Sequence, residues 1–137
     1  MSDAAANDAD AGAPLRKICL LVMQAGADDL ADCVTPLMHA LTASAMEAEV
    51  EVYFIGPCVR LLAEGVAQTV IAVESKKPLA TLLGDAHESG IRLYACTSAW
   101  KAHVPDGAAL ATQCTGFGGA ATYLGRALDP AWRVLSY

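Results

Sequence analysis

Five cysteines stand in this chain, at positions 19, 33, 58, 96 and 114, and Cys96 is set apart by its surroundings. It closes the run Gly90-Ile91-Arg92-Leu93-Tyr94-Ala95 and is followed at once by Thr97 and Ser98. The run is made of β-favouring and small apolar residues and reads as a short buried strand. Thr97 and Ser98 read as helix N-cap residues, because a hydroxyl oxygen can accept a hydrogen bond from an unpaired amide of the first turn. Cys96 then sits at the carboxyl end of a strand, the edge where chemistry collects in open α/β sheets. Helix-end amides also favour a thiolate over a thiol. If one atom of this protein is reactive, it is this sulfur. The plainer reading is that a free cysteine is a small, buried hydrophobe.

The other candidates are secondary. Cys58 follows Gly56-Pro57 at the end of another strand, so it could share the edge with Cys96 as a resolving thiol, or simply pack at a helix start. Lys101 and His103 follow within two helical turns and could hold a thiolate or an anionic substrate, or be solvated. Cys19 and Cys33 fall on apolar patterns and read as structural, whereas Cys114 lies in a flexible surround, Gln113-Cys114-Thr115-Gly116, and could be exposed. Gly116-Phe117-Gly118-Gly119-Ala120-Ala121 matches a loose dinucleotide-binding pattern. No clear strand precedes it, though, and no acidic ribose partner follows at the right distance. Those glycines read instead as a loop bend and a close helix approach. No phosphate-binding loop is present. The Cys and His spacings suit no standard zinc site, so no metal is expected.

Strands and helices alternate along the chain. Lys17 to Gln24 is continuously apolar, as in a strand buried on both faces. Asp28 and Asp29 open a helix whose stripe is Leu30, Cys33, Val34, Leu37, Met38, Leu41 and Ala45, with Pro36 expected to bend or break it. Glu49 to Ile55 alternates as a second strand. A short helix from Cys58 closes at Gly65, and Val66 to Val73 is open between strand and loop. A helix from Pro78 carries Leu79, Leu82, Leu83 and Ala86 on one face. After the Cys96 strand come a helix to His103, a helix from about Gly119 to Leu128, and a last strand from Trp132. This order predicts βαβ units, a mostly parallel sheet with helices on both faces, and one domain.

Composition supports folding. Of 137 residues 55% are hydrophobic, while only 6% are aromatic, so the core is aliphatic. The net charge is −6, and no Lys/Arg cluster is present, which argues against nucleic-acid binding. The longest apolar runs, such as Ile18 to Met23, are too short to span a bilayer. Residues 1–15 are small, acidic and without an export signal; they read as a flexible tail ahead of a domain over 16–137. Without export, the cysteines belong in a reducing, cytoplasmic compartment as thiols.

These pieces together resemble a known family. The strand ending Phe54-Ile55-Gly56 before Val59-x-x-Leu62 belongs to the pattern, as does Gly90-Ile91-x-Leu93-x-Ala95-Cys96. So does the closing Gly118-Gly119-Ala120-Ala121-Thr122-Tyr123-Leu124 helix before Val134-Leu135-Ser136-Tyr137. The chain resembles the DsrE/DsrF-like family of small sulfur-handling proteins, which includes the TusD type. The resemblance implies a flavodoxin-like α/β domain that assembles into trimers or hexamers. It also implies a cysteine at the Cys96 position that carries sulfur as a persulfide between donor and acceptor proteins. Neither metal nor organic cofactor is needed for that. Thr97-Ser98-Ala99-Trp100-Lys101 and Cys58 depart from the family pattern, and some members lack the active cysteine. Three rivals therefore stand beside the sulfurtransferase-like reading: a non-catalytic oligomeric subunit, a small-ligand-binding module of the same fold, and a Cys58–Cys96 redox pair.

Overall fold

The computed structural model describes residues 16–137; the tail expected over residues 1–15 lies outside them. Five strands form one sheet in the order β4-β3-β2-β1-β5: β1 (Lys17–Val22), β2 (Glu49–Phe54), β3 (Arg92–Ala95), β4 (Gly116–Phe117) and β5 (Trp132–Ser136). Every neighbouring pair is parallel, so each connection crosses over the sheet. The helices are α1 (Val34–Ala45), α2 (Leu79–Glu88), α3 (Thr97–His103) and α4 (Ala120–Leu128). This is the single α/β domain with a parallel sheet that the alternating pattern predicts.

The two faces of the sheet are built differently. Leu20, Val22, Val52, Phe54, Leu93 and Ala95 point to one face. There they pack with Val34, Leu37 and Ala40 of α1 and with Leu79, Leu82, Leu83 and Ala86 of α2. A 3₁₀ segment, Gly56–Leu62, adds Val59, Leu61 and Leu62 to the same cluster. At about 1.5–3 kcal/mol for each fully buried aliphatic side chain, this core carries the hydrophobic stabilisation of the domain. The opposite face holds only Cys19, Leu21, Tyr53 and Trp132 as fully buried apolar residues. It is covered by α4, none of whose residues is fully buried.

What fastens α4 is polar. Glu51 points to this face and is completely buried. Arg126 of α4 donates from Nε and Nη2 to the two Glu51 carboxylate oxygens, each at 2.9 Å. Arg92 donates to Oε2 from Nε and Nη2 at 3.1 and 2.6 Å, and Tyr53 donates its hydroxyl to Oε1 at 2.9 Å. Arg126 also lies 4.5 Å above the Trp132 ring. Burial alone favours the neutral acid, but the three donors outweigh it and hold the Glu51 carboxyl below its ordinary range. A carboxylate this buried is tolerable because its acceptor sites are filled by charge-assisted donors.

Several local readings are sharpened. Asp29 caps a 3₁₀ segment, Leu30–Cys33, through its carboxylate and the Ala31 amide, 3.0 Å apart. Pro36 falls in the first turn of α1, where its missing N–H costs nothing, so α1 runs on unbroken and the irregularity precedes it. The segment expected as a helix from Cys58 is 3₁₀, and the undecided stretch from Val66 holds a short 3₁₀ turn, Ala67–Thr69. Gly116–Phe117, taken as a loop bend, is itself the two-residue edge strand β4.

Candidate functional site at the Cys96 strand end

β3 places Cys96 where the sheet ends. Its amide donates to the Phe54 carbonyl at the end of β2, 2.9 Å away, which extends the β2–β3 pairing by one residue. The chain then turns directly into α3, and Cys96 itself occupies the N-cap position. This corrects the expected cap: Thr97 and Ser98 are the first two residues of the helix, and the extended backbone at Cys96 is what sets the boundary.

The consequence is chemical. Cys96 Sγ lies 3.3 Å from Ser98 Oγ. Burial pushes the thiol up, because only 6% of the residue is exposed. The Ser98 hydroxyl and the amides of Ala99 and Ser98 favour the thiolate and carry the net shift below the ordinary thiol value. The other four cysteines are pushed the opposite way. Burial takes Cys19, Cys33 and Cys114 up to about 12 and Cys58 up to about 11. All five are free thiols. Cys96 is the one cysteine shifted toward the thiolate.

Cys58 does share the edge. Its thiol is 3.0 Å from the Val22 carbonyl and 3.2 Å from the Ile55 carbonyl, in the strand layer that also holds Cys96. It is fully buried. Cys33 lies beside it under the β1–α1 turn: a Cβ built on Gly26 would meet Cys33 Sγ at 2.5 Å and Cys58 Cβ at 3.2 Å. With φ at +82°, Gly26 is the residue that lets this turn close over the two thiols. Cys114 is half-buried against the core rather than exposed. Lys101 and His103 lie exposed in the last turn of α3, at the far end of the helix from Cys96. Neither is among the groups that set its acidity.

The neighbourhood is completed from β4. The Gly118 amide donates to the Ala95 carbonyl at 2.9 Å, and Phe117 meets Trp100 edge to face with ring centroids 5.4 Å apart. A Cβ on Gly118 would stand 3.0 Å from Tyr53 Cε2, and Tyr53 stacks on Tyr94 at 4.9 Å. Of the glycine-rich motif, Gly118 serves close packing, against the sheet, whereas a Cβ on Gly116 or Gly119 would meet nothing within 4 Å. Sequence reasoning missed the Glu51–Arg92–Arg126 cluster. The available signal was Arg92, a charge inside an apolar strand, which needs a partner on a neighbouring strand. Register places it opposite Glu51.

Among the described residues, no group of three His, Cys, Asp or Glu side chains could hold a metal ion, and no helix is long and apolar enough to cross a membrane. Fold and site define a parallel α/β domain with a buried cysteine at a strand end, its thiol shifted toward the thiolate. The chain matches the model of the DsrE/DsrF-like family over residues 17–124, and it belongs to that family. No curated protein matches it. Among solved structures it is similar to the protein of unknown function MTH1491 from Methanobacterium thermoautotrophicum. The identity is 14%, with 90% of this chain and 100% of that one covered, at a TM-score of 0.65. That likeness shows the fold.

Proposed function

We propose that this protein carries sulfane sulfur as a persulfide on Cys96, as a sulfurtransferase-like member of an intracellular sulfur relay. The observation that supports it most is the contrast among the cysteines: Cys96 alone has its acidity raised, at a strand end of a chain in the DsrE/DsrF-like family. The Cys96 thiolate attacks the outer sulfur of a donor persulfide, R–S–SH. The donor S–S bond breaks, R–S⁻ leaves with its electron pair and takes up a proton, and Cys96–S–SH remains. An acceptor thiolate then attacks the outer sulfur and returns Cys96 as thiolate, with no net oxidation. Ser98 and the first-turn amides serve as the charge-stabilising groups in both halves. A cytoplasmic location and a homo-oligomeric state, trimer or hexamer, belong to the same proposal.

The test is intact-mass spectrometry after incubation with a polysulfide donor, on wild type and Cys96→Ser. A reductant-sensitive gain of about 32 Da per sulfur, absent from the variant, supports the carrier. No adduct, or the same adduct on both proteins, refutes it. One observation favours a second reading, in which the chain is a non-catalytic subunit: Cys96 is only 6% exposed. Complete inertness to alkylation in the native protein would decide for that reading.

A further inference from the structure

An apolar hollow among the described residues lies at the opposite end of the sheet from Cys96. Ile18 of β1 forms its floor, Ala43, Met46 and Ala48 come from the end of α1 and the turn after it, and Pro130 and Ala131 come from the approach to β5. The cavity measures about 420 Å³, within the size range of small-molecule sites. Its rim is basic. Arg16 enters from the strand start, and Arg133 stands beside Ile18 in the β1–β5 register. Lys17 also borders it, but its ammonium lies 5.8 Å over the Trp132 ring. Neither Arg16 nor Arg133 has an ion-pair partner among the described residues, whereas Arg92 and Arg126 are both engaged with Glu51. Two guanidinium groups without an ion-pair partner among the described residues thus border an aliphatic hollow, on a chain of net charge −6.

We propose that this hollow binds an organic anion with an apolar body, such as a medium-chain or aryl carboxylate. The aliphatic walls take the body, and the two arginines take the head group, for which the planar guanidinium supplies paired donors. The site is independent of the Cys96 chemistry, which occupies the other edge of the sheet.

The probe is anilinonaphthalene sulfonate, titrated by fluorescence into the full-length protein, with decanoate and decylamine as competitors. The expected result is saturable binding of one probe per chain, displaced by decanoate and not by decylamine. Arg133→Gln should weaken it about five- to tenfold, the scale of one partly exposed charge-assisted contact. Ala43→Leu, which adds bulk to the hollow from the α1 side, should abolish it while the thermal transition stays in place. Cys96→Ser should leave it unchanged. Three results would overturn the proposal. One is no saturable binding; another is binding equal in wild type, Arg133→Gln and Ala43→Leu. The third is binding that emerges only when Asp3, Asp8 and Asp10 are changed to Asn, since the hollow would then belong to the chain's own acidic N-terminal segment.

Discussion

Cys96 and Cys58 are tied to consecutive carbonyls at the end of the same strand, Cys96 through its amide to Phe54 and Cys58 through its thiol to Ile55, yet their acidities are pushed in opposite directions. Both are buried. The difference lies in how far burial is offset: at Cys96 a hydroxyl and helix-end amides outweigh it, whereas at Cys58 burial, the largest effect, outweighs the backbone groups that favour the thiolate.

Ser98→Ala should therefore raise the pKa of Cys96. A thiolate is the alkylated species, so the rate of iodoacetamide modification tracks ionisation. In wild type the pH profile of that rate should reach half-maximum below that of an unperturbed thiol. In Ser98→Ala it should move upward, with less reaction at neutral pH. Profiles that coincide would show that Ser98 has no part in activation.

Cys58→Ala should leave sulfur loading at Cys96 within about twofold of wild type, because a thiol held near 11 is almost wholly protonated at neutral pH. The cost should be structural, about 1 kcal/mol in denaturant unfolding, from a small cavity and two lost weak hydrogen bonds. Loss of Cys96 loading in this variant would make Cys58 a working thiol after all.

Glu51 governs the acid limb of stability. Its carboxyl is held below the ordinary value in the fold, so the unfolded chain binds its proton first as the pH falls. The stabilisation is present above about pH 4.3, the unfolded value, and is lost as pH drops through the folded one. Glu51→Gln should lower stability at pH 7 by about 2 kcal/mol, discounted because Arg92 and Arg126 are each about one-third exposed. It should also flatten the decline below pH 4.3. Urea titrations from pH 3 to pH 7 on both proteins would show it.

Leu124 and Leu128 stand on one outward face of α4, 51% and 85% exposed, over the thinly covered side of the sheet. A parallel sheet ordinarily has both faces covered. A second copy of the chain is the occupant that fits the proposed oligomer. Leu128→Glu should then shift the mass measured by light scattering toward the monomer, with the fold retained in circular dichroism. An unchanged mass would place the contact elsewhere.

Much of this molecule was legible beforehand, for physical reasons. Continuous apolar runs at Ile18–Val22 and the period of α1 report burial directly, and the strand ending at Cys96 followed from composition and its glycine boundary. The cap was misplaced by one residue because hydroxyls are the commoner caps, and only backbone geometry shows that Cys96 holds the position. Glu51 was hidden because alternation of charged and β-branched residues is the usual mark of a wet face. Here the charged side turns inward onto arginines from β3 and α4, distant in sequence. Lys101 and His103 were plausible by spacing alone, but spacing does not give direction.

The pairing of Lys17 with Trp132 has a consequence for how the chain comes to its final shape. More than a hundred residues separate the partners, so one flank of β1 stays an open row of amides and carbonyls through most of synthesis. Closing it is a late, long-range event, slow because the entropy of a long loop must be overcome first. During that interval the exposed flank can accept a strand from another chain. Nascent copies made close together are thus most prone to exchange β5 with one another before each has folded onto its own.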